Sequence, residues 1–150
     1  MESLKRLLGF KRSQILEDRL TELLEKLLER TSGADTVFLT KPDGLVVAKA
    51  HTGPPEQSIM YSAVGAEIAE VSAEPLHRLF ESKTNYIIAI TDQMTIGLAR
   101  LKYNLILGVS GKNLSIAWML KWLGQTSTKI NNLFDSMFYE TEPKKLQDVA

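Results

Sequence analysis

The chain has 150 residues, 44% of them hydrophobic and 24% charged, and a formal net charge of zero. That is the size and composition of one ordinary globular domain. The complete lack of cysteine excludes disulfides and thiolate metal sites and fits a reducing compartment.

Residues 1–12 form a basic extension, with Lys5, Arg6, Lys11 and Arg12 against Glu2 alone. Their apolar run is too short for a signal peptide or a membrane span, so a cytoplasmic protein is expected. Leu4, Leu7, Leu8 and Phe10 among these bases suit either a membrane-surface helix or an extra turn of the first helix, interrupted at Gly9. The second reading is favoured. From Ser13 to Thr31 the residues Leu16, Leu20, Leu23, Leu24, Leu27 and Leu28 recur at three- and four-residue steps, which predicts an amphipathic helix. Thr31, Ser32 and Gly33 stop it.

Two β-rich runs, Thr36–Thr40 and Leu45–Lys49, flank Lys41-Pro42-Asp43-Gly44. Proline presets one turn dihedral and glycine accepts a positive φ, so the segment is a hairpin. After a loop from His51 to Pro55, residues Gln57–Phe80 return to a helical period. Met60, Val64, Ile68, Val71, Leu76 and Leu79 mark one stripe, and Ala63, Gly65, Ala66, Ala69, Ser72 and Ala73 keep the remaining surface small. Such a helix can approach another backbone closely, and Pro75 is expected to end or kink it.

Three strands follow, Asn85–Thr91, Thr95–Leu101 and Leu105–Ser110, joined by turns at Asp92-Gln93 and Lys102-Tyr103-Asn104. The first and last are apolar on both faces, which implies a sheet covered on both sides. Asn113 is positioned to cap a final helix with Ile116, Leu120, Leu123, Ile130, Leu133, Phe134, Met137 and Phe138 as its buried stripe. Residues 13–139 thus make one domain of order α-β-β-α-β-β-β-α. Two helices share one face of the sheet, the middle helix covers the other, and 140–150 form a polar tail.

Charge is unevenly spread. The segment Glu56–Glu81 is acidic, while Gln93–Phe134 holds Arg100, Lys102, Lys112, Lys121 and Lys129 and no acid. These are solvated faces of separate elements, or faces that complement a charged partner. The bases are too dispersed, and too far from any recognised motif, for nucleic acid. Neither His51 nor His77 has the spaced companions that a metal site or a general base needs. The corner Gly108-Val109-Ser110-Gly111-Lys112 fails the phosphate-loop spacing, which requires glycine at Ile106 and a hydroxyl at Asn113. It also fails the serine-hydrolase elbow, because Lys112 replaces the second glycine. No catalytic residue, cofactor or metal site is therefore assigned. Trp118 and Trp122, one turn apart, either widen the core contact or form an exposed anchor for a partner.

The element order, the hairpin Val37–Ala48, the lead-in Gly33-Ala34-Asp35 and the alanine-rich segment Ala63–Glu74 together resemble the roadblock family. This family comprises dynein light chains, Ragulator subunits and prokaryotic partners of small Ras-like GTPases. The resemblance covers roughly residues 13–139. It implies an α+β fold with a five-stranded antiparallel sheet sandwiched between helices, roadblock- or profilin-like. It also implies a homodimer built by edge-strand pairing and packing of the middle helices. Carried to this chain, the interface would draw on Met60, Ala63, Val64, Ala66 and Ala69 of the helix and on Asn85, Tyr86, Ile87, Ile88 and Ile90 of the strand. A long, bare, apolar edge is an aggregation hazard unless covered, which agrees with that implication. The resemblance further implies a non-enzymatic scaffold or regulator of a small Ras-like GTPase. Trp118, Lys121, Trp122 and Lys129 are the candidate partner contacts. A light-chain-type clamp on another subunit and a profilin- or PAS-like ligand sensor are the alternatives.

Overall fold

The computed structural model describes residues 2–141, with the side chains of residues 12–137. Helix α1 spans Glu2–Arg30, α2 Pro55–Phe80 and α3 Ile116–Thr141. Strands β1 (Ala34–Thr40), β2 (Val46–His51), β3 (Tyr86–Ile90), β4 (Thr95–Arg100) and β5 (Ile106–Gly111) form one sheet in the order β2-β1-β5-β4-β3. Every neighbouring pair is antiparallel. The element order is the one read from the sequence.

Strand alternation sorts the core into two layers. Val37, Leu39, Ala99, Leu107 and Val109 meet Leu20, Leu24 and Leu27 of α1 and Met119, Leu123 and Ile130 of α3. Phe38, Leu98 and Ile106 point the other way, toward Ala66 and Ala69 of α2. Fully burying a leucine or phenylalanine contributes about 1.5–3 kcal/mol, so the leucine face of α1 is a main source of stability. Gly44, with φ +87°, turns the β1–β2 hairpin, and the Asp43 carboxylate accepts the Leu45 amide at 3.0 Å.

The α2 layer depends on Phe38, whose ring stands between sheet and helix. A Cβ on Gly65 would lie 2.7 Å from its Cζ, and one on Gly108 would also collide with the ring. Helix and strand each give up a side chain to seat one aromatic. Gly65→Ala is therefore expected to lower stability by about 1–3 kcal/mol through overpacking. Thermal unfolding followed by circular dichroism should show a drop of about 2–4 °C per kcal/mol for a domain of this size.

Four local expectations are corrected. First, α1 runs unbroken from Glu2 through Gly9, because one interior glycine costs only about 1 kcal/mol relative to alanine. Residues 2–12 therefore continue the helix. Second, Pro75 does not end α2, which continues to Phe80. Residues 74–80 are all exposed, so water can reach the carbonyl that lacks an amide partner. Third, α3 begins at Ile116, and the Met119 amide donates to the Ser115 carbonyl at 2.9 Å. Ser115 thus holds the cap position expected for Asn113, whose carbonyl packs against Gly33. Fourth, Ile116 and Leu120 of the expected α3 stripe are exposed, while Met119 is fully buried. Phe138 and the tail 142–150 lie outside the described side chains and residues.

The β4–β5 connection is fastened to α3. Tyr103, with φ +62°, donates its hydroxyl to the Asp135 carboxylate at 2.6 Å, and the Lys102 ammonium donates to the same carboxylate at 2.9 Å. The tyrosine bond first, then the lysine, holds the Asp135 pKa below the ordinary aspartate value. The same bond raises that of Tyr103. A depressed carboxylate adds stability above its ordinary titration range and loses it as pH falls through the lowered pKa. A raised phenol adds stability below its ordinary range and loses it as pH rises through the raised pKa. The clamp is therefore intact across neutral pH and opens at both extremes. In urea unfolding, Asp135→Asn should lose less stability than the unsubstituted chain as pH is lowered through about 4.

Candidate functional site: a bare strand edge beside an overhanging helix

Both edges of the sheet are single strands, β2 and β3, but they differ in cover. Helices α1 and α2 both pack on β2. Helix α2 starts over the β1–β2 hairpin, where Gly44 meets Ala63. It crosses β1 and β4 at Gly65 and ties to β4 where Arg100 reaches the Ala69 carbonyl at 3.3 Å and Glu70 at 3.0 Å. Ala73, Glu74 and His77 then face Asn85, at the start of β3, across an open depression.

The helix is longer than the sheet is wide. Its 26 residues span about 39 Å at 1.5 Å per residue, whereas five strands spaced about 4.8 Å apart span about 19 Å between the outermost. The carboxyl-terminal turns therefore have no sheet beneath them. Residues 74–80 are exposed on every side, although they include Leu76, Leu79 (73% exposed) and Phe80 (63%). Val71, Val64, Met60 and Ile59 are exposed further back along the helix.

Beside this overhang lies the outer edge of β3. The Arg100 amide donates to the Asn85 carbonyl and the Thr91 amide to the Met94 carbonyl, which sets the parity of the β3–β4 ladder. Residues 85, 87, 89 and 91 direct their main-chain groups at β4, so those of Tyr86, Ile88 and Ile90 point away from the sheet. The strand is apolar, with Tyr86 45% and Ile90 64% exposed, and it carries neither proline nor an inward charge to blunt the edge.

The structure sorts the candidate interface residues. Met60, Ala63, Val64, Asn85, Tyr86 and Ile90 are exposed, and Ile87 and Ile88 are half-buried. Ala66 and Ala69 are 1% and 2% exposed, packed in the core beneath α2. They have no surface left for another molecule and leave the candidate set. Ser58, Ser62, Gly65, Ala66 and Ala69 of α2 face its own sheet with Tyr61 and Ile68 partly buried beside them, and Ile59, Met60, Val64, Val71, Leu76 and Leu79 face outward. Val71, Leu76, Leu79 and Phe80 are added in place of the two alanines. The usable signal was length, since a 26-residue helix cannot rest wholly on five strands.

The tryptophans divide. Trp122 packs against the α1–α3 core, whereas Trp118 is 51% exposed and stacks on it at 6.4 Å. The Lys121 ammonium sits 5.0 Å and 4.9 Å from the two ring centres, and Arg30 lies 4.9 Å from the Trp122 ring. This cluster is part of the α1–α3 seam as well as a surface feature. Lys129 is exposed one helical stretch further on. His51 bonds the Gly53 carbonyl at 2.8 Å, a loop contact. Among the described residues no group of three or more His, Cys, Asp or Glu could hold a metal. Nor is any described helix long and apolar enough to cross a membrane.

The arrangement, five antiparallel strands with α1 and α3 on one face and α2 on the other, has close structural counterparts. No protein-family model matches the sequence, and no curated protein matches it either. Among solved structures, MglB of Myxococcus xanthus superposes with a TM-score of 0.71 at 13% identity, covering 79% of this chain and 90% of that one. A Roadblock/LC7 domain from Streptomyces avermitilis gives 0.70 at 14%, covering 76% and 96%. The gliding protein MglB from Thermus thermophilus gives 0.71 at 16%, covering 81% and 92%. This chain has the roadblock fold. Within that fold it is similar to MglB over most of both chains.

Proposed function

We propose that the chain forms a two-fold homodimer by pairing β3 with its copy, and that this dimer is a non-catalytic scaffold or regulator of a small Ras-like GTPase. The observation that carries the dimer is the juxtaposition of an unblunted apolar edge with a helix end that has no floor. A second copy pairing at the edge extends the sheet and supplies that floor, covering Leu76, Leu79 and Phe80.

Parity fixes the register of such a pair. Only Tyr86, Ile88 and Ile90 offer outward amides and carbonyls, and residues paired across an antiparallel ladder must share a face. Centring the dyad on Ile88 sets Tyr86 opposite Ile90 of the copy and lets all three residues bond. Sliding by two residues in either direction loses a pair beyond the ends of β3. In the favoured register each Tyr86 ring lies against an isoleucine, an aromatic and β-branched pairing that stabilises sheets.

The register makes two prolines behave differently. Ile88→Pro removes an outward amide and spares the β4 ladder, and proline is tolerated on an edge strand. Ile87→Pro removes an inward one. Sedimentation of the unsubstituted chain should give about twice the 16.8 kDa chain mass. Ile88→Pro should give a folded monomer and Ile87→Pro a damaged fold. A monodisperse monomer before any substitution would refute the dimer.

The GTPase rests on the roadblock resemblance and on the similarity of the fold to MglB. The acid-free span Gln93–Phe134, with Lys121 exposed at Trp118 and Lys129 exposed further along α3, gives a partner surface its charge. Pull-down of Ras-like GTPases from the source organism, loaded with GTP or GDP, should show binding that depends on the nucleotide. Lys121→Glu and Lys129→Glu should slow association, and Trp118→Ala should speed dissociation. Capture of a non-GTPase subunit with no GTPase bound in either state would replace this reading with a light-chain-type clamp.

A further inference from the structure

The edge strand and its surroundings are nearly free of charge. Between Glu81 and Arg100 the chain carries two charged side chains, Lys83 just ahead of β3 and Asp92 just past it. Both are exposed, and among the described residues neither has an ion-pair partner. Lys83 borders the depression beneath the end of α2, where the other charges are already matched. Arg100 holds Glu70 at 3.0 Å, Glu74 lies 3.9 Å from Arg78, and Lys102 donates to Asp135 at 2.9 Å.

Asp92 stands in the turn from β3 to β4, a place where an aspartate commonly caps the turn amides. Here Thr91 takes that role, its Oγ1 accepting the Gln93 amide at 3.3 Å and the Met94 amide at 2.9 Å. The Asp92 carboxylate is left over. One uncompensated base and one uncompensated acid therefore bracket the strand.

A strand that pairs with its own copy in the antiparallel sense brings its start to the end of the other. Moving outward from Tyr86 and Ile90 in the favoured register, Asn85 faces Thr91 of the copy and Thr84 faces Asp92 of the copy. Lys83 is then one residue along and one strand across from that aspartate, about 6 Å between main chains. An ammonium on a flexible four-carbon stem covers that distance. The two-fold axis repeats the arrangement at the other end, whereas a parallel pairing would set lysine beside lysine and aspartate beside aspartate.

We infer that each end of the paired edge is closed by an ion pair between Lys83 of one chain and Asp92 of the other, and that these two pairs select the partner. The inference rests on the dimer proposed above. Exposed ion pairs add little affinity, but like charges brought together at an interface repel. The two residues thus admit a strand that carries a base ahead and an acid behind, and turn away one that does not.

The test uses the full chain. Lys83→Glu puts two acids at each end of the edge and Asp92→Lys puts two bases there, so each variant alone should dissociate about fivefold more readily than the unsubstituted dimer in sedimentation equilibrium. Mixed in equal amounts, the two variants complement each other at both ends. Native mass spectrometry should then find about nine-tenths of the dimer as the mixed species, against about half for random pairing. The preference should vanish in about 1 M salt, where charges are screened within about 3 Å. A chain carrying both substitutions inverts the pairs and should dimerise as the unsubstituted chain does, which also shows that neither change harms the fold. Lys26→Glu and Glu25→Lys, the same charge changes at exposed positions of α1, should mix at random. An unsubstituted chain that sediments as a monomer defeats the dimer. A dimer indifferent to both reversals, variants that mix at random, a double variant that folds but stays monomeric, or an equal preference between the α1 variants defeats the ion pairs alone.

Discussion

The seating of the Phe38 ring between sheet and α2 governs the outer half of the molecule. A ring of that size, projecting from the second strand of the sheet order, can be accommodated only if its neighbours are small. Gly108 alongside and Gly65 above meet that demand, and Ala66 and Ala69 line the same face of the helix. Once the small face of α2 is committed inward, its methionine, valines and leucines have nowhere to go but outward. The apolar exterior of this helix is thus a geometric result of where the bulk of the inner layer comes from. In this layer the sheet supplies it.

The second constraint is the mismatch between strand and helix dimensions. An odd number of strands cannot be tiled by helices that each cover two, so one strand on the α1–α3 face stays uncovered. On the opposite face a single helix packs on β2, β1, β5 and β4 and runs on past them. Both remainders fall at β3, the edge that also carries unpaired main-chain groups. Three independent deficits meet along one strand: uncovered side chains, free amides and carbonyls, and a helix end without support.

Much of this was legible in the sequence because it was local. The turn Pro42-Asp43-Gly44, the leucine period of α1 and the doubly apolar strands each encode their own conformation. Their succession fixed the element order, and the roadblock resemblance implied β3 as the paired edge. The orientation of α2 was not legible. The sequence offers a stripe of large residues and a face of small ones without saying which packs on the sheet, and the position of Phe38 in three dimensions commits the small face inward. The same holds at Leu120, which shares the helical period of Leu123 but looks toward the uncovered strand. Asn113 and Ser115 are both competent caps, and the choice between them is made by the close approach of Gly33 to the Asn113 carbonyl, a contact between distant parts of the chain. Trp118 and Trp122 differ in burial because α1 passes over only one of them, at Arg30.

The outward groups of β3 are main-chain groups, and a backbone ladder is blind to sequence. Any chain of this fold with a similar free edge presents the same comb of donors and acceptors at the same repeat of about 3.4 Å per residue. In a cell that makes several such chains, discrimination between self and relative cannot reside in the ladder. In the proposed dimer it falls to the side chains that flank the ladder, above all the reciprocal fit of Tyr86 against Ile90 and the apolar end of α2. Drift at these few positions would therefore change which chains recognise one another while leaving each fold intact. An edge of this kind allows a duplicated gene to pass from self-association to a dedicated heteromeric pair by a handful of substitutions.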